Sequence, residues 1–182
     1  NMTFSRDGSQ LALYPSTNEK TYSAQVCEVA AQRALRFLRA PRPDPAETDP
    51  GIYKEAAHWQ VNFSADERVL VSAGKHGVRV WDLECGAEVA QLSRLPTFSA
   101  FFHPDGQHLI GSGNGGVLSW RLFHDATRVR FSEPEKLAAH SQCERAAISR
   151  SGTVLAYGHA GRIHLQGREQ SWTGWPASQW VA

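Results

Sequence analysis

The side chains best suited to chemistry in this sequence are eight histidines and three cysteines. A metal centre needs imidazole, thiolate or carboxylate donors brought to one point, which sequences advertise as short fixed spacings such as H-E-x-x-H or C-x-x-C. Here His103 and His108 flank one expected hairpin and His159 and His164 another, without such a spacing, so no metal and no cofactor is expected. Cys27, Cys85 and Cys143 lie far apart and predict neither a zinc knuckle nor a disulfide framework, which points to a reduced, cytoplasmic protein. No G-x-S-x-G elbow and no recognisable Ser, His and Asp order occurs, so no catalytic residue is assigned and the chain reads as a non-enzyme. The run "GNGG" at 113–116 has glycines enough to cradle a phosphate. A P-loop, however, continues as Gly-Lys-Ser/Thr into a helix, whereas "VLSW" continues as a strand, so a hairpin turn is expected.

The elements that must position these residues are announced by an internal repeat. "FSADERVLVSAGKHGVRVWDL" at 63–83 returns as "FHPDGQHLIGSGNGGVLSWRL" at 102–122. Equivalent units start at Phe4, Phe63, Phe102 and Ile148, and each soon reaches a turn: Asp7-Gly8, Asp66-Glu67, Asp105-Gly106 and Ser151-Gly152. Short apolar strands follow ("VLVSAG", "HLIGSG", "VLAYGH"), then a glycine-containing turn and a third strand ("GVRVWDL", "GVLSWRL", "GRIHLQG"). "VCEVAAQRALRFL" from Val26 aligns without a gap on "VWDLECGAEVAQL" from Val80, placing Cys27 at the position of Trp81 and making "ALRFLRA" an outer strand. Period-two alternation with Asp-Gly, Asn-Gly and Gly-Gly punctuation specifies antiparallel strands joined by hairpins. Four strands per unit of roughly 40 residues match the blade of a β-propeller.

On these residues the chain resembles the WD-repeat propellers, in the degenerate form common in bacteria. The expected architecture is therefore all-β, with four four-stranded antiparallel blades at about 1–40, 58–97, 98–139 and 140–182, and a Pro-rich loop at 41–57. Since such rings close with about seven blades, the resemblance implies a partial propeller, completed by blades elsewhere in a longer chain or by a homodimer mate. The opening "NMTFSRDG", already inside a repeat, reads as a cut from a longer polypeptide, and "SWTGWPASQWVA" at 171–182 as the run-in to a further first strand. Only Trp81-Asp82 has the dipeptide itself; the other copies read Cys27-Glu28, Trp120-Arg121 and Leu165-Gln166. The family often carries a buried series of loop His, turn Asp, strand Ser and Trp. Carried over, His140 is the loop His, Ser72 and Ser112 are strand members, and Trp81 and Trp120 are packing residues, while no copy supplies the turn Asp.

A net charge of +1 gives no electrostatic grip on nucleic acid or on an anionic membrane, and no apolar run approaches a membrane span, so neither partner is expected. What remains is a non-enzymatic scaffold for a protein or peptide. The Pro-rich loop is either a plain connection or a partner-contacting flap. In propellers the connections between blades share a face with the turns between second and third strands. Lys75, His76, Asn114 and His159 then form one candidate rim with this loop and with Trp59 at its end. Trp172, Trp175 and Trp180 are expected in blade-to-blade contacts or, alternatively, at a ligand site. The resemblance implies a bacterial signalling parent such as a serine/threonine kinase with C-terminal repeats. The alternative is the propeller of a peptidase or periplasmic transport protein.

Overall fold

The computed structural model describes residues 2–13, 23–30, 33–39, 58–124, 129–167 and 171–176. The Pro-rich loop at 41–57 and Trp180 lie outside them. Among the described residues every regular element is a strand, and no helix is long and apolar enough to cross a membrane.

Within the described residues seventeen strands form four antiparallel sheets, each built from consecutive strands. The first holds β1 (Met2–Phe4), β2 (Gln10–Leu13), β3 (Ser23–Glu28) and β4 (Arg33–Arg39) in that order. The second holds β5 (His58–Phe63), β6 (Val69–Gly74), β7 (Gly77–Asp82) and β8 (Glu88–Ser93). In the third, β9 (Thr97–Phe102), β10 (His108–Gly113) and β11 (Gly116–His124) are followed by a divided outer strand. Its pieces β12 (Val129–Phe131) and β13 (Glu135–Lys136) pair with the far and near parts of β11. Between them Ser132 Oγ accepts the Arg121 N–H at 2.9 Å, filling the gap in the ladder. The fourth holds β14 (Ala146–Ile148), β15 (Val154–His159), β16 (Arg162–Gly167) and β17 (Ser171–Pro176).

β17 corrects one expectation: Ser171–Pro176 is no run-in to another sheet but the outer strand of the fourth, paired along β16. Trp172 and Trp175 lie on this strand, and their side chains fall outside the described ones.

The turn after each first strand repeats in atomic detail. Ser5, Ser64, His103 and Ser149 donate their backbone N–H to the carbonyl five residues on, and Gly8, Glu67, Gly106 and Gly152 donate back to them. Ser5, Ser64 and Ser149 also accept, through Oγ, the N–H five residues on, each at 3.0 Å. The residue in left-handed conformation is Gly8, Gly106 or Gly152 in three turns, and Glu67 (φ 58°) in the fourth. These positions keep the spacing of the sequence repeat, which is therefore a repeat of hydrogen bonding.

Neighbouring first strands lie beside one another without pairing, so side chains satisfy their backbone groups, as buried amides require. Asn62 Nδ2 donates to Ala100 O at 2.8 Å, and Gln60 Oε1 accepts the Ala100 N–H at 3.2 Å, tying β5 to β9. Ser99 Oγ accepts the Ala146 N–H at 3.0 Å, tying β9 to β14.

Three apolar layers fill the spaces between sheets. Val26, Leu38, Val61, Leu70 and Trp81 join the first to the second; Val69, Val71, Val80, Leu109 and Trp120 the second to the third; Ile110, Val117, Cys143, Leu155 and Tyr157 the third to the fourth. Leu70 and Val71 thus serve different layers, because successive side chains of a strand point to opposite faces. A strand covered on both faces has no solvent side, which is why β6 is buried at all six positions. Trp81 and Trp120 are 1% and 2% exposed, as packing residues should be. All three cysteines are free thiols.

Candidate functional site

Two edges of the sheets carry the polar chemistry. At the first lie the turns that carry Lys75, His76, Asn114 and His159. Lys75 and His76 occupy the β6–β7 turn, Asn114 the β10–β11 turn, and His159 the start of the β15–β16 turn. Each hairpin is closed by an equivalent pair: Gly74 with Gly77, Gly113 with Gly116, His159 with Arg162. Each turn is also tied down from outside itself. The Asn114 N–H donates to Pro96 O at 2.9 Å, Gln91 Nε2 donates to His76 O at 3.0 Å, and His159 Nδ1 donates to Gln142 O at 2.6 Å. Pro96 and Gln142 belong to connections between sheets, so connections and turns do share an edge. Asn114 is exposed, and Lys75, His76 and His159 are half-buried. Burial, and then the nearby Arg79 and Lys75 charges, hold the His76 imidazole below its ordinary value. Trp59 lies in β5 with its side chain outside the described ones.

Of the expected series of loop His, turn Asp, strand Ser and Trp, the second sheet shows the Ser–Trp link alone, and the third and fourth sheets have other residues in its place. Trp81 Nε1 donates to Ser72 Oγ at 3.2 Å. Ser112 does not serve Trp120: its hydroxyl donates to Glu144 O, and the strand position facing the indole is Gly111, whose added Cβ would lie 3.0 Å from the ring. Tyr157 takes the place of Ser72 in the fourth sheet, and His140 Nδ1 meets its hydroxyl at 3.3 Å.

The fourth sheet also corrects the register read for its third strand. Leu70 opposes Trp81, Leu109 opposes Trp120 and Leu11 opposes Cys27, but Leu155 opposes Gln166, not Leu165. The turn glycine has moved: Gly77 and Gly116 close their hairpins, whereas Gly161 stands one place earlier. Aligning glycine on glycine therefore slips the strand by one residue and reverses its faces. In the true register His164 takes the place of Arg79 and is turned inward, 8% exposed. It stacks 9° from parallel on Tyr157 at 5.1 Å, and His140 lies 3.9 Å from His159 and 4.7 Å from His164, ring centre to ring centre. Desolvation, then His159, His164 and Lys136, hold His140 below its ordinary value.

The opposite edge holds what spacing rules missed. In the β9–β10 turn His103, Asp105 and His108 converge, their donor atoms all within 4.8 Å. Asp105 Oδ2 stands 3.0 Å from His103 Nδ1 and 2.8 Å from His108 Nδ1. Asp105 Oδ1 is occupied by the Gln107 and His108 N–H groups at 2.7 and 3.2 Å. Burial pushes the Asp105 carboxyl up, but the Gln107 N–H, the His108 side-chain hydrogen bond and the charges of the two imidazoles outweigh it and hold the acid below its ordinary value. All three residues line a cleft of about 680 Å³ between the third and fourth sheets, with Glu135, Ser151 and Thr153 adding polar groups and Ile110 and Leu155 apolar wall. The available signal was H-x-D-x-x-H across a Pro-Asp-Gly turn. Turn curvature, not helical spacing, brings its ends together.

No family model and no curated protein matches the chain.

Proposed function

We propose that the chain is a run of β-propeller blades of the WD-repeat kind, acting as a non-enzymatic scaffold whose β6–β7, β10–β11 and β15–β16 turns receive a protein or peptide partner. The observation that carries this reading is that four meandering sheets with the same backbone turn after their first strands have those strands side by side, β1 by β5 and β5 by β9, with β9 bonded to β14 through Ser99. That order supports an arc of blades, since stacking meanders face to face about a common inner edge is how a propeller grows. The anchored turns support a binding role, because a rigid turn loses little freedom on docking. The exposed β1 side chains Met2 (69%) and Phe4 (59%) support completion of the arc by further blades or by a second copy.

The test uses the full chain as bait with chemical cross-linking. A partner should be captured by the native chain and by Arg6→Glu, a change at an exposed residue of the β1–β2 turn on the opposite edge, and lost from a folded Lys75→Glu/Asn114→Arg double variant. Capture that is unchanged in the double variant, or lost only in Arg6→Glu, would remove the rim from the account.

A further inference from the structure

The β9–β10 turn poses a problem of lone pairs. His103 Nε2 lies 3.1 Å from Gly152 O, and a carbonyl only accepts, so Nε2 carries a proton. In the neutral ring Nδ1 is then a bare acceptor, and the Asp105 N–H donates to it at 3.1 Å. Yet Asp105 Oδ2, another acceptor, stands 3.0 Å from the same nitrogen. Two lone pairs face each other there, beside a third donor atom at His108 Nδ1. A positive charge among them, whether a proton on His103 Nδ1 or a metal ion held by all three atoms, makes the arrangement favourable.

We propose that His103 Nδ1, Asp105 Oδ2 and His108 Nδ1 bind a divalent first-row transition ion, with zinc the fitting choice. Two imidazoles and one carboxylate are a donor set that such ions prefer over magnesium or calcium. The surroundings match what a ligating histidine requires, namely a second ring nitrogen fixed on a backbone carbonyl, here Gly152 O. Asp105 is similarly oriented, since its Oδ1 is held by two backbone donors and Oδ2 is left for the site. Gly152 is required for this approach: a Cβ there would fall 2.6 Å from His103 Cε1. On binding, the proton between His108 Nδ1 and Asp105 leaves and His108 Nε2 carries one instead, by exchange with solvent, so that the ring ligates as a neutral imidazole, and the Asp105 N–H releases His103 Nδ1. Three protein ligands leave a coordination position open, and because the same residues line the cleft, that position faces a ligand seated there. The bound ion would also clamp the third sheet to the fourth through His103 and Gly152, a role distinct from the partner rim at the other edge.

Titration calorimetry of the metal-free chain with zinc chloride tests this. One equivalent should bind to the native chain and to His159→Gln, which removes a rim histidine, while His108→Gln weakens binding at least tenfold. Equal binding by His108→Gln, loss confined to His159→Gln, or no binding by a folded native chain would each overturn the site. X-ray absorption of the zinc-loaded native chain needs no variant. Nitrogen and oxygen neighbours with two-imidazole scattering support the assignment, and sulfur neighbours from the free cysteines refute it.

Discussion

Ser72 lies wholly inside the protein, and its hydroxyl is the acceptor for the Trp81 indole N–H. Replacing it by alanine strands a buried donor, which costs about 1–3 kcal/mol. Ser72→Ala should therefore lower the chemical denaturation midpoint, while Ser151→Ala, exposed on the opposite edge, should leave it nearly unchanged. The His140 stack makes a second prediction, from protonation. Its folded value lies below the ordinary 6.5, by desolvation and then by repulsion from His159, His164 and Lys136, so the unfolded chain binds the proton more readily. Its contribution to stability is complete above that ordinary value and is lost as pH falls towards the folded one. Melting temperature should drop on acidification from about pH 7.5 to about pH 5.5, and His140→Asn should flatten part of that drop. An unchanged slope would remove His140 as a cause. At this scale the buried tryptophans were legible, because a large apolar side chain at an equivalent place in each repeat has few other uses. The convergence of His103, Asp105 and His108 was not, since it depends on how tightly one turn curls.

Among the elements, the hairpin turns set the register and the glycines decide which turns tolerate change. Gly77 and Gly8 both have positive φ, but a Cβ on Gly77 would fall 1.8 Å from Ser93 O, whereas one on Gly8 meets nothing within 4 Å. Gly8→Ala should cost about 1 kcal/mol, the backbone preference alone. Gly77→Ala should cost about 3 kcal/mol or more, since the β7–β8 ladder must shift. Thermal melts of the two variants check the difference. The meander of each sheet was readable from alternation and turn residues, and the Val26 alignment placed β3 and β4 correctly. What failed was register where a glycine had drifted: matching Gly161 to Gly77 displaced β16 by one residue and hid His164 from view. β17 was misassigned for a related reason, as outer strands face solvent and carry the weakest pattern. The split of β12 from β13 had no sequence signal beyond Pro134.

For the whole molecule, stability lies in the layers between sheets. Residues of β6 divide between two layers, so the second and third sheets are each supported from both sides, while β1 presents Met2 and Phe4 to solvent. Each large side chain buried by a neighbouring sheet contributes about 1.5–3 kcal/mol, a stabilisation that an end sheet forgoes on its open face. Open, ladder-capable ends also invite association. Whether the proposed arc of blades needs a further surface to close it is decided by the absolute mass of the folded chain, from light scattering during size exclusion. The expected result is a folded particle of about twice 20.1 kDa or a higher multiple. A monodisperse, fully folded monomer of 20.1 kDa across the accessible concentration range would contradict it.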